Sequence, residues 1–495
     1  MANRCFAALC GGLLLPYAFA PFGWWPLAVV ALALLIVVAD TRQAKAAALV
    51  GWCFGLGMFG FGVWWIQVSV HQFGAPYYSF SVTTTAVLVA GMALYPAVYA
   101  TLLSIIRCRG VAACFLIPSL WVLTELIRAS LFTGFPWLSL GYSQIESPVA
   151  ALAPVLGVYG CSWVVVFVAT VAVEILRPSC RKRYPVAATA TIVFIAIGVL
   201  DDVHWTHSLG QDKEVALVQG AVPQALKWRP EMRAPTLALY DSLTEPHWEV
   251  DLIIWPETAV PAFPQDVETA LDELSARAAT ENADLVIGLP TGDRFEGGYY
   301  NSLMKLDGER AKYDKRHLVP FGEYFPLKFL YEGLAAALSI PMSDFSHGRA
   351  DQHSLRVAGH LAGISICYED VFGNEVIDAL PAAGFLINIS NDAWFGDTIA
   401  PHQHLEIARM RALETGRYLL RGTNTGLTAI IDSKGKIVAK AEQFAETVLV
   451  GGFELREGAT PYVCFGDFPV LLLSAAFSLF GFMRRARGQR AVQAR

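Results

Sequence analysis

The stretch LAGISICYED, residues 361–370, decides the fold that we expect for the larger part of this chain. Apolar residues fill its first half, and Cys367 is followed at once by Tyr, Glu and Asp. Such a run is typical of a buried β-strand that ends at the edge of a sheet, where α/β proteins place their chemistry. We therefore predict that Cys367 closes a central strand and presents its thiol at the end of a sheet.

Two upstream segments carry groups that such a thiol can use. Glu257 ends the apolar run DLIIWPE, and Lys315 lies in YDKRHLVPFGE. A thiol, a carboxylate and an amine on three separate loops can serve as nucleophile, base and oxyanion stabiliser. Taken alone, each residue also fits a structural role, because strand-end cysteines are usually structural and the other two fit a solvated surface. A further alternative is a disulfide between Cys367 and Cys464.

The composition indicates a membrane protein. Of 495 residues, 55% are hydrophobic and 16% are charged, against roughly 25% charged in soluble domains. No basic patch interleaved with aromatic residues is present, which argues against nucleic-acid binding. The nine cysteines have neither a disulfide-framework nor a zinc-ligand spacing. We therefore expect several membrane spans, more than one domain, and no metal or cofactor.

Eight apolar stretches are long enough to cross a bilayer, which takes roughly 20 residues each. They lie approximately at 4–20, 24–40, 46–70, 82–106, 110–128, 150–176, 185–201 and 468–483. Basic loops alternate with loops that have no Lys or Arg, at 21–23, 71–81 and 129–149. By the positive-inside rule, the basic loops and both termini face the cytoplasm. The segment 204–466 is then predicted to lie outside.

In that outer segment, short β-like runs alternate with helical ones. Strands are predicted at 214–220, 251–257, 283–289, 299–306, 361–367, 384–390, 427–442 (with a hairpin turn at 433–435) and 446–455, and helices at 266–282 and 403–417. This alternation predicts an α/β domain. His402 and His404 are read as the start of the second helix rather than as metal ligands. The chain would then divide into seven spans (1–203), a catalytic domain (204–466) and an eighth span with a basic tail (467–495).

The segment 324–345 fits neither pattern, because it is apolar but interrupted by prolines. One interpretation is a core helix with its loops. The other is a lid that dips into the lipid headgroup region. We favour the lid, because the segment directly follows the loop that carries Lys315.

The segments WPE, DKRHLVPFGE and ICYED, in this order, resemble the Glu–Lys–Cys set of the nitrilase superfamily, whose fold is a four-layer αββα sandwich. With the spans around them, essentially the whole chain resembles the bacterial, membrane-embedded, lipoprotein-acylating branch of that superfamily. Soluble nitrilases and amidases more often carry Asp two residues after the cysteine, whereas here Glu369 takes the form of the lipoprotein-acylating branch. The resemblance implies eight transmembrane helices and an extracytoplasmic sandwich.

The resemblance also implies roles for individual residues. Cys367 would be the nucleophile, Glu257 the general base, and Lys315, with the backbone N–H of Tyr368, the oxyanion stabiliser. The Lys315 ammonium would also lower the pKa of the thiol. Further residues would orient Lys315 (Glu323 and Glu369) or line the pocket (Trp228, Asn301 and Tyr368), with ordinary packing as the alternative for the pocket residues. Apart from the resemblance, Trp394 lies in the run SNDAWFGD after the next strand, so we expect it to line the same pocket, with core packing as its alternative.

The implied reaction is a two-step, ping-pong acyl transfer at the bacterial inner membrane, by a monomer. A phospholipid would donate an acyl chain to Cys367, and the α-amino group of the N-terminal diacylglyceryl-cysteine of an apolipoprotein would accept it. Two alternatives stay open: a membrane-tethered amidohydrolase that uses water as the acceptor, and a transporter or receptor whose outer domain only binds its ligand. The near absence of buried charge along most spans argues against a transport path.

Overall fold

The structure is a computed structural model, and it describes residues 1–74, 77–177, 183–293, 298–324 and 345–493. The chain forms two compact units. The first contains Met1–Gln67, Tyr78–His204 and Cys464–Arg495, and the second contains Val68–Tyr77 and Trp205–Val463. The predicted lid at 324–345 lies, apart from its two end residues, outside the described residues.

The first unit is helical, as its long apolar stretches predict. Its helices before the second unit are α1 (Ala2–Leu14), α2 (Pro26–Val38), α3 (Ala44–Gly62), α4 (Ile66–Ser69, which continues into the second unit), α5 (Tyr78–Met92), α6 (Leu94–Ile106), α7 (Val111–Ser130), α8 (Ala153–Leu176) and α9 (Arg183–Asp201).

Among the described residues, six helical stretches are long and apolar enough to cross a membrane. They are Ala44–Gly62, Tyr78–Ile106, Val111–Thr133, Pro148–Leu176, Arg183–Asp201 and Phe468–Ala486. The first two of the eight predicted spans form helices of only 13 residues, α1 and α2, against the roughly 20 that a crossing helix needs. The structure therefore gives six candidate spans, and it does not confirm the predicted total of eight.

The basic loops of this unit gather at one end. Asp40, which follows α2, forms ion pairs with Arg109 at 2.6 Å and with Arg177 at 3.3 Å. Arg4, in the first turn of α1, donates to the backbone carbonyl of Asp40 at 3.0 Å. The start of α1 and the ends of α2, α6 and α8 therefore lie at the same end of the helical unit.

Two six-stranded sheets form the second unit. The strands are β1 (Thr206–Gln219), β2 (Leu252–Ile254), β3 (Asp284–Asp293), β4 (Gly298–Lys305), β5 (Lys312–Asp314), β6 (Ser354–Val357), β7 (His360–Ile366), β8 (Phe385–Ser390), β9 (Leu419–Thr423), β10 (Ala429–Ile431), β11 (Ile437–Lys440) and β12 (Thr447–Gly458). The first sheet has the order β12-β1-β2-β3-β4-β5, and the second has the order β11-β10-β9-β8-β7-β6.

Helices cover the outer faces of both sheets. The helices that follow α9 in the chain are α10 (Gln224–Lys227), α11 (Arg233–Thr244), α12 (Glu268–Glu281), α13 (Gly373–Val376), α14 (Ala400–Thr415), α15 (Pro461–Phe465) and, back in the first unit, α16 (Phe468–Gln493). Apolar side chains of α11 and α12 form a core with the first sheet, and those of α14 form one with the second. A third core joins the two sheets face to face. The unit is therefore an αββα sandwich.

The central strand predicted from 361–370 is β7. It pairs in parallel with β8, with Ile366 opposite Ile389. The strand ends at Ile366, one residue earlier than predicted, and Cys367 begins a 3₁₀ turn that runs to Val371. The thiol thus belongs to the turn that leaves the sheet.

Candidate active site

Three strand ends position the predicted catalytic groups. Glu257 lies three residues after β2, Lys315 follows β5 directly, and Cys367 follows β7 directly. Their exposed fractions are only 7%, 1% and 9%. The Nζ atom of Lys315 lies 3.9 Å from Oε1 of Glu257. Both groups also act electrostatically on the Cys367 thiol, so the structure brings all three residues into one buried site.

Cys367 has a strained backbone. Its φ is +53°, in the left-handed region that residues with a Cβ atom avoid. Such a conformation costs roughly 1–3 kcal/mol and persists only where the surrounding structure enforces it. Strain of this kind is concentrated at functional sites, and here it falls on the single residue that carries the thiol.

The surroundings of Cys367 keep its thiol protonated. Burial raises its pKa, the Glu257 carboxylate raises it further, and Lys315 lowers it. The expected effect of the ammonium therefore has the right sign, but burial outweighs it, and the pKa ends well above its ordinary value. A thiol in this state needs a base to take its proton during attack.

Glu257 is placed to be that base. The Nδ2 atom of Asn301 donates to its carboxylate at 2.6 Å. Burial raises the pKa of Glu257, while the positive charges of Lys315 and Lys227 and the bond from Asn301 oppose that rise. A carboxyl group with a raised pKa accepts a proton more readily at neutral pH.

Lys315 is held as an ammonium ion. Burial by itself lowers the pKa of Lys315, but the carboxylates of Glu323 and Glu257 raise it, and the net direction is upward. Glu323 is the closer partner, with an oxygen 2.8 Å from Nζ. Asn301 also donates to Glu323, at 3.1 Å, and its carbonyl accepts the backbone N–H of Lys315 at 2.8 Å. Asn301 and Glu323 thus belong to the site by direct contact.

Glu369 holds the backbone that follows Lys315 rather than the Lys315 ammonium. Its carboxylate accepts the backbone N–H groups of Arg316 at 2.5 Å, His317 at 3.0 Å and Ile366 at 2.7 Å. One carboxylate therefore ties the end of β7 in the second sheet to the loop after β5 in the first. It fixes the position of Lys315 relative to Cys367 through the main chain.

The predicted aromatic residues lie on loops. Tyr368 is buried, and its ring lies edge-on to Phe372 at 5.3 Å. Trp228 is half-buried directly after α10. Trp394 is half-buried in a 3₁₀ turn, and its carbonyl accepts a 2.6 Å bond from the hydroxyl of Ser69. On the loop that carries Trp228, the neighbouring residue Lys227 contacts the site.

Lys227 was missed by the sequence analysis. It is fully buried, and its Nζ donates to the carbonyl oxygen of Glu257 at 3.3 Å and to Oγ1 of Thr258 at 3.1 Å. Burial lowers its pKa to about 7, against the effect of Glu257. The run VPQALKW gives no sign of this, because a single lysine in a short helix normally points to solvent.

The alternative of a disulfide is wrong, since Cys367 and Cys464 are both free thiols. Among the described residues, no group of three or more His, Cys, Asp or Glu side chains is arranged to hold a metal ion. The groups that the structure brings together at this site are a thiol, a carboxylate and an ammonium group, and all three residues are buried.

Comparison with known proteins assigns both units. Residues 214–459 match the family model for carbon-nitrogen hydrolase, and residues 11–171 match the model for the apolipoprotein N-acyltransferase N-terminal domain. The sandwich and its site thus define an enzyme of the nitrilase, or carbon-nitrogen hydrolase, superfamily that is joined to apolar helices.

Similar proteins cover nearly the whole chain. The apolipoprotein N-acyltransferase of Methylococcus capsulatus is 44% identical over 492 residues, which covers 99% of this chain and 97% of the relative. That of Nitrosomonas europaea is 41% identical over 495 residues, with 98% of each chain covered. This chain belongs to the apolipoprotein N-acyltransferase family.

Proposed function

We propose that this chain transfers an acyl chain from a phospholipid to the α-amino group of the N-terminal diacylglyceryl-cysteine of apolipoproteins. Membership of the family supports this activity. The observation that carries the mechanism is the buried site in which Glu257 and Lys315, 3.9 Å apart, both act on the strained Cys367. We assign the catalytic roles to these three residues.

In the first step, Sγ of Cys367 attacks the ester carbonyl of the phospholipid, and Glu257 takes the thiol proton. Lys315 and the backbone N–H of Tyr368 hold the oxyanion of the tetrahedral intermediate. The intermediate collapses by breaking the bond to the glycerol oxygen, which takes the proton from Glu257 and leaves as lysophospholipid. The acyl chain stays on sulfur as a thioester.

In the second step, the acceptor amine attacks the thioester carbonyl, and Glu257 takes a proton from the attacking nitrogen. Lys315 again stabilises the oxyanion. The C–S bond breaks, the new amide leaves, and Glu257 returns its proton to sulfur. Because the acyl chain stays on Cys367 as a thioester after the lysophospholipid has left, the two substrates use the site in turn, which gives ping-pong kinetics.

Several contacts support Lys315 as the oxyanion stabiliser rather than the base. Glu323 at 2.8 Å and Glu257 at 3.9 Å keep it charged, and an ammonium has no free lone pair to accept a proton. We assign Glu323, Asn301 and Glu369 to its support. The pocket is assigned to Trp228, Tyr368 and Trp394.

We further propose eight crossings of the bacterial inner membrane, with both termini in the cytoplasm. Here α1, extended by the 3₁₀ turn Leu15–Ala18, and α2 cross as a hairpin that starts and ends beside Asp40. The gathering of Arg4, Arg109 and Arg177 around Asp40 supports a single cytoplasmic end. If α1 and α2 did not cross the membrane, two crossings would be lost. Because two is an even number, the proposed orientation of the other helices would stay the same.

As part of the same proposal, the sandwich lies on the periplasmic side. The segment Val68–Tyr77 clusters with the sandwich, and it overlaps a loop without Lys or Arg, which the positive-inside rule assigns to the outer face. The proposed division is 1–203 for seven spans, 204–466 for the catalytic domain and 467–495 for the eighth span with its tail. We propose that the enzyme works as a monomer.

The test is an assay with a phospholipid labelled in its acyl chain and a diacylated lipopeptide as acceptor. The purified protein should form acylated lipopeptide, and without acceptor it should carry a hydroxylamine-labile acyl adduct on Cys367. The Cys367→Ala variant should do neither. Release of labelled fatty acid in place of acylated peptide would favour the amidohydrolase, and full activity of Cys367→Ala would overturn the mechanism.

A further inference from the structure

A buried ionic cluster lies behind Cys367, centred on His404 of α14. Nε2 of His404 is 3.0 Å from Oδ1 of Asp370, and Nδ1 is 2.9 Å from Oδ1 of Asp392. A histidine ring that faces a carboxylate at each nitrogen carries a hydrogen on both, so it is an imidazolium ion. This residue, predicted only to begin a helix, lies in the interior with 1% of its surface exposed.

Arg421 completes the cluster. Its Nη1 lies 3.2 Å from Asp370, and its Nη2 lies 3.1 Å from Asp392. Two cations thus face two carboxylates, and all four residues are at least 99% buried. Burial and Arg421 lower the pKa of His404, but the two carboxylates outweigh them and raise it to about 9. Each of the two carboxylates uses one oxygen for His404 and the other for Arg421.

The cluster reaches the main chain of Cys367. Nε2 of His404 lies 3.4 Å from the Cys367 carbonyl oxygen, and Nδ2 of Asn388 donates to the same oxygen at 3.3 Å. Asn388 is itself oriented by Arg421, whose Nη1 donates to its Oδ1 at 2.5 Å. Two side chains from two different elements, α14 and β8, therefore converge on the carbonyl of Cys367, whose φ is positive.

The free-energy cost of burying these charges indicates that the cluster does more than stabilise the fold. Burying four charges costs several kcal/mol per ion, and well-packed apolar side chains in the same place are often as stabilising or more so. Strained backbone, in turn, needs neighbours that enforce it. The cluster is costly in desolvation free energy, and it contacts the carbonyl oxygen of Cys367. It therefore supplies neighbours that enforce the strained backbone where the chain leaves the sheet.

We propose that His404, together with Asn388, is a positioning residue for the nucleophile: by donating to the Cys367 carbonyl oxygen, it holds the left-handed backbone that directs the sulfur toward Glu257 and Lys315. This inference rests on the proposed role of Cys367. His404 touches no substrate in this scheme and acts only through the backbone of Cys367.

A matched pair of substitutions separates this role from a general loss of charge. In His404→Gln the amide nitrogen takes the place of Nε2, so the donor to Asp370 and to the Cys367 carbonyl is kept. In His404→Asn it takes the place of Nδ1, so only the donor to Asp392 is kept. Both variants lose the positive charge. Thr415→Val is the stability control. It removes the buried hydrogen bond that the Thr415 hydroxyl donates to the backbone carbonyl of Arg411 on the same helix, away from Cys367.

The readouts are the single-turnover rate of thioester formation, the KM for phospholipid, and the alkylation rate of Cys367 by iodoacetamide at one pH. We expect His404→Asn to lower the acylation rate by about a hundredfold, as for a misplaced reacting group. His404→Gln should lower it by no more than about tenfold, with KM unchanged in both. The alkylation rates should follow the same order.

Equal acylation rates for the two His404 variants, or losses that follow the melting temperature as in Thr415→Val, would overturn the proposal. If His404→Asn fails to fold, Asn388→Leu replaces it, because it removes the second donor to the same oxygen with little change in volume. A failure of the proposed function is a separate result: the wild type would then make no acylated lipopeptide, while alkylation of Cys367 would still rank the variants.

Discussion

The Lys315 ammonium lies 2.8 Å from a carboxylate oxygen of Glu323. This pairing leaves Glu257, at 3.9 Å, free to exchange a proton with the thiol while Lys315 keeps its charge. The site therefore uses two carboxylates for two tasks: Glu323 holds the cation in place, and Glu257 moves the proton.

Replacing Lys315 by methionine should lower the rate of thioester formation by at least about a hundredfold, since the oxyanion loses a charged donor. The measurement is single-turnover acylation with labelled phospholipid, with folding checked by circular dichroism. Lys312→Met is the control, because Lys312 lies on β5 but its side chain is 35% exposed and pairs with Asp314. A loss of only a few-fold in Lys315→Met would remove Lys315 from the mechanism.

The acid limb of the activity profile should lie above the ordinary glutamate pKa of about 4.3, because burial raises the pKa of Glu257 and the base must be ionised. Lys227→Met removes a positive charge that lowers this pKa, so the limb should move to higher pH. Glu323→Gln removes a negative charge that raises it, so the limb should move to lower pH. The measurement is kcat/KM against pH, and shifts in the same direction would exclude Glu257 as the base.

Gly288 lies on β3, next to the strand that precedes Glu257, and Gly288→Ala should impair Glu257 as the base. A Cβ atom at Gly288 of β3 would stand 2.3 Å from the carbonyl oxygen of Pro256 and 2.8 Å from the Cα atom of Glu257, so this backbone would have to move. We expect kcat to fall by about a hundredfold. Gly308→Ala, which meets no atom within 4 Å, should keep full activity. Equal activity of the two variants would mean that Glu257 tolerates displacement.

The buried cluster predicts a pH dependence of stability. Asp370 and Asp392 raise the pKa of His404 to about 9, although burial and Arg421 oppose this. A raised pKa stabilises the folded state fully below the unfolded value of about 6.5, and that stabilisation is lost as the pH rises through about 9. The difference in melting temperature between the wild type and His404→Gln should therefore shrink between pH 6.5 and 9. A constant difference over this range would contradict a charged His404.

Local patterns predicted much of the sandwich and its central residues. The long strands were predicted from their apolar runs, and α12 from an apolar face of helical period. The helix α14 was also predicted, although it buries polar and apolar residues alike. The three-residue strand β5 and the strands β6 and β9 were missed, since they depend on their sheet neighbours rather than on a pattern of their own. The first two apolar stretches were predicted to run to residues 20 and 40, whereas α1 ends at Leu14 and α2 at Val38, because apolarity alone does not show where a helix ends.

The partners of the site were harder to find from sequence. Lys227 and His404 look like surface residues, because the carboxylates and carbonyls that hold them come from segments up to 37 residues away, as for His404 and the Cys367 carbonyl. The Glu–Lys–Cys set was recognisable because each member lies in a short sequence motif: WPE, DKRHLVPFGE or ICYED. A buried ionic cluster has no such local pattern, since its charges balance only once the fold has formed.

The clustering of Val68–Tyr77 with the sandwich has a practical consequence for anyone who wishes to dissect this enzyme. The sandwich is not a contiguous piece of chain, since the hydroxyl of Ser69 donates to the Trp394 carbonyl from a segment that precedes it by 325 positions. A fragment beginning near residue 205 would lack Ser69, so the turn that contains Trp394 would lose this hydrogen bond. Truncation is therefore a poor route to a soluble form, and detergent or nanodisc preparations of the full chain are the appropriate material.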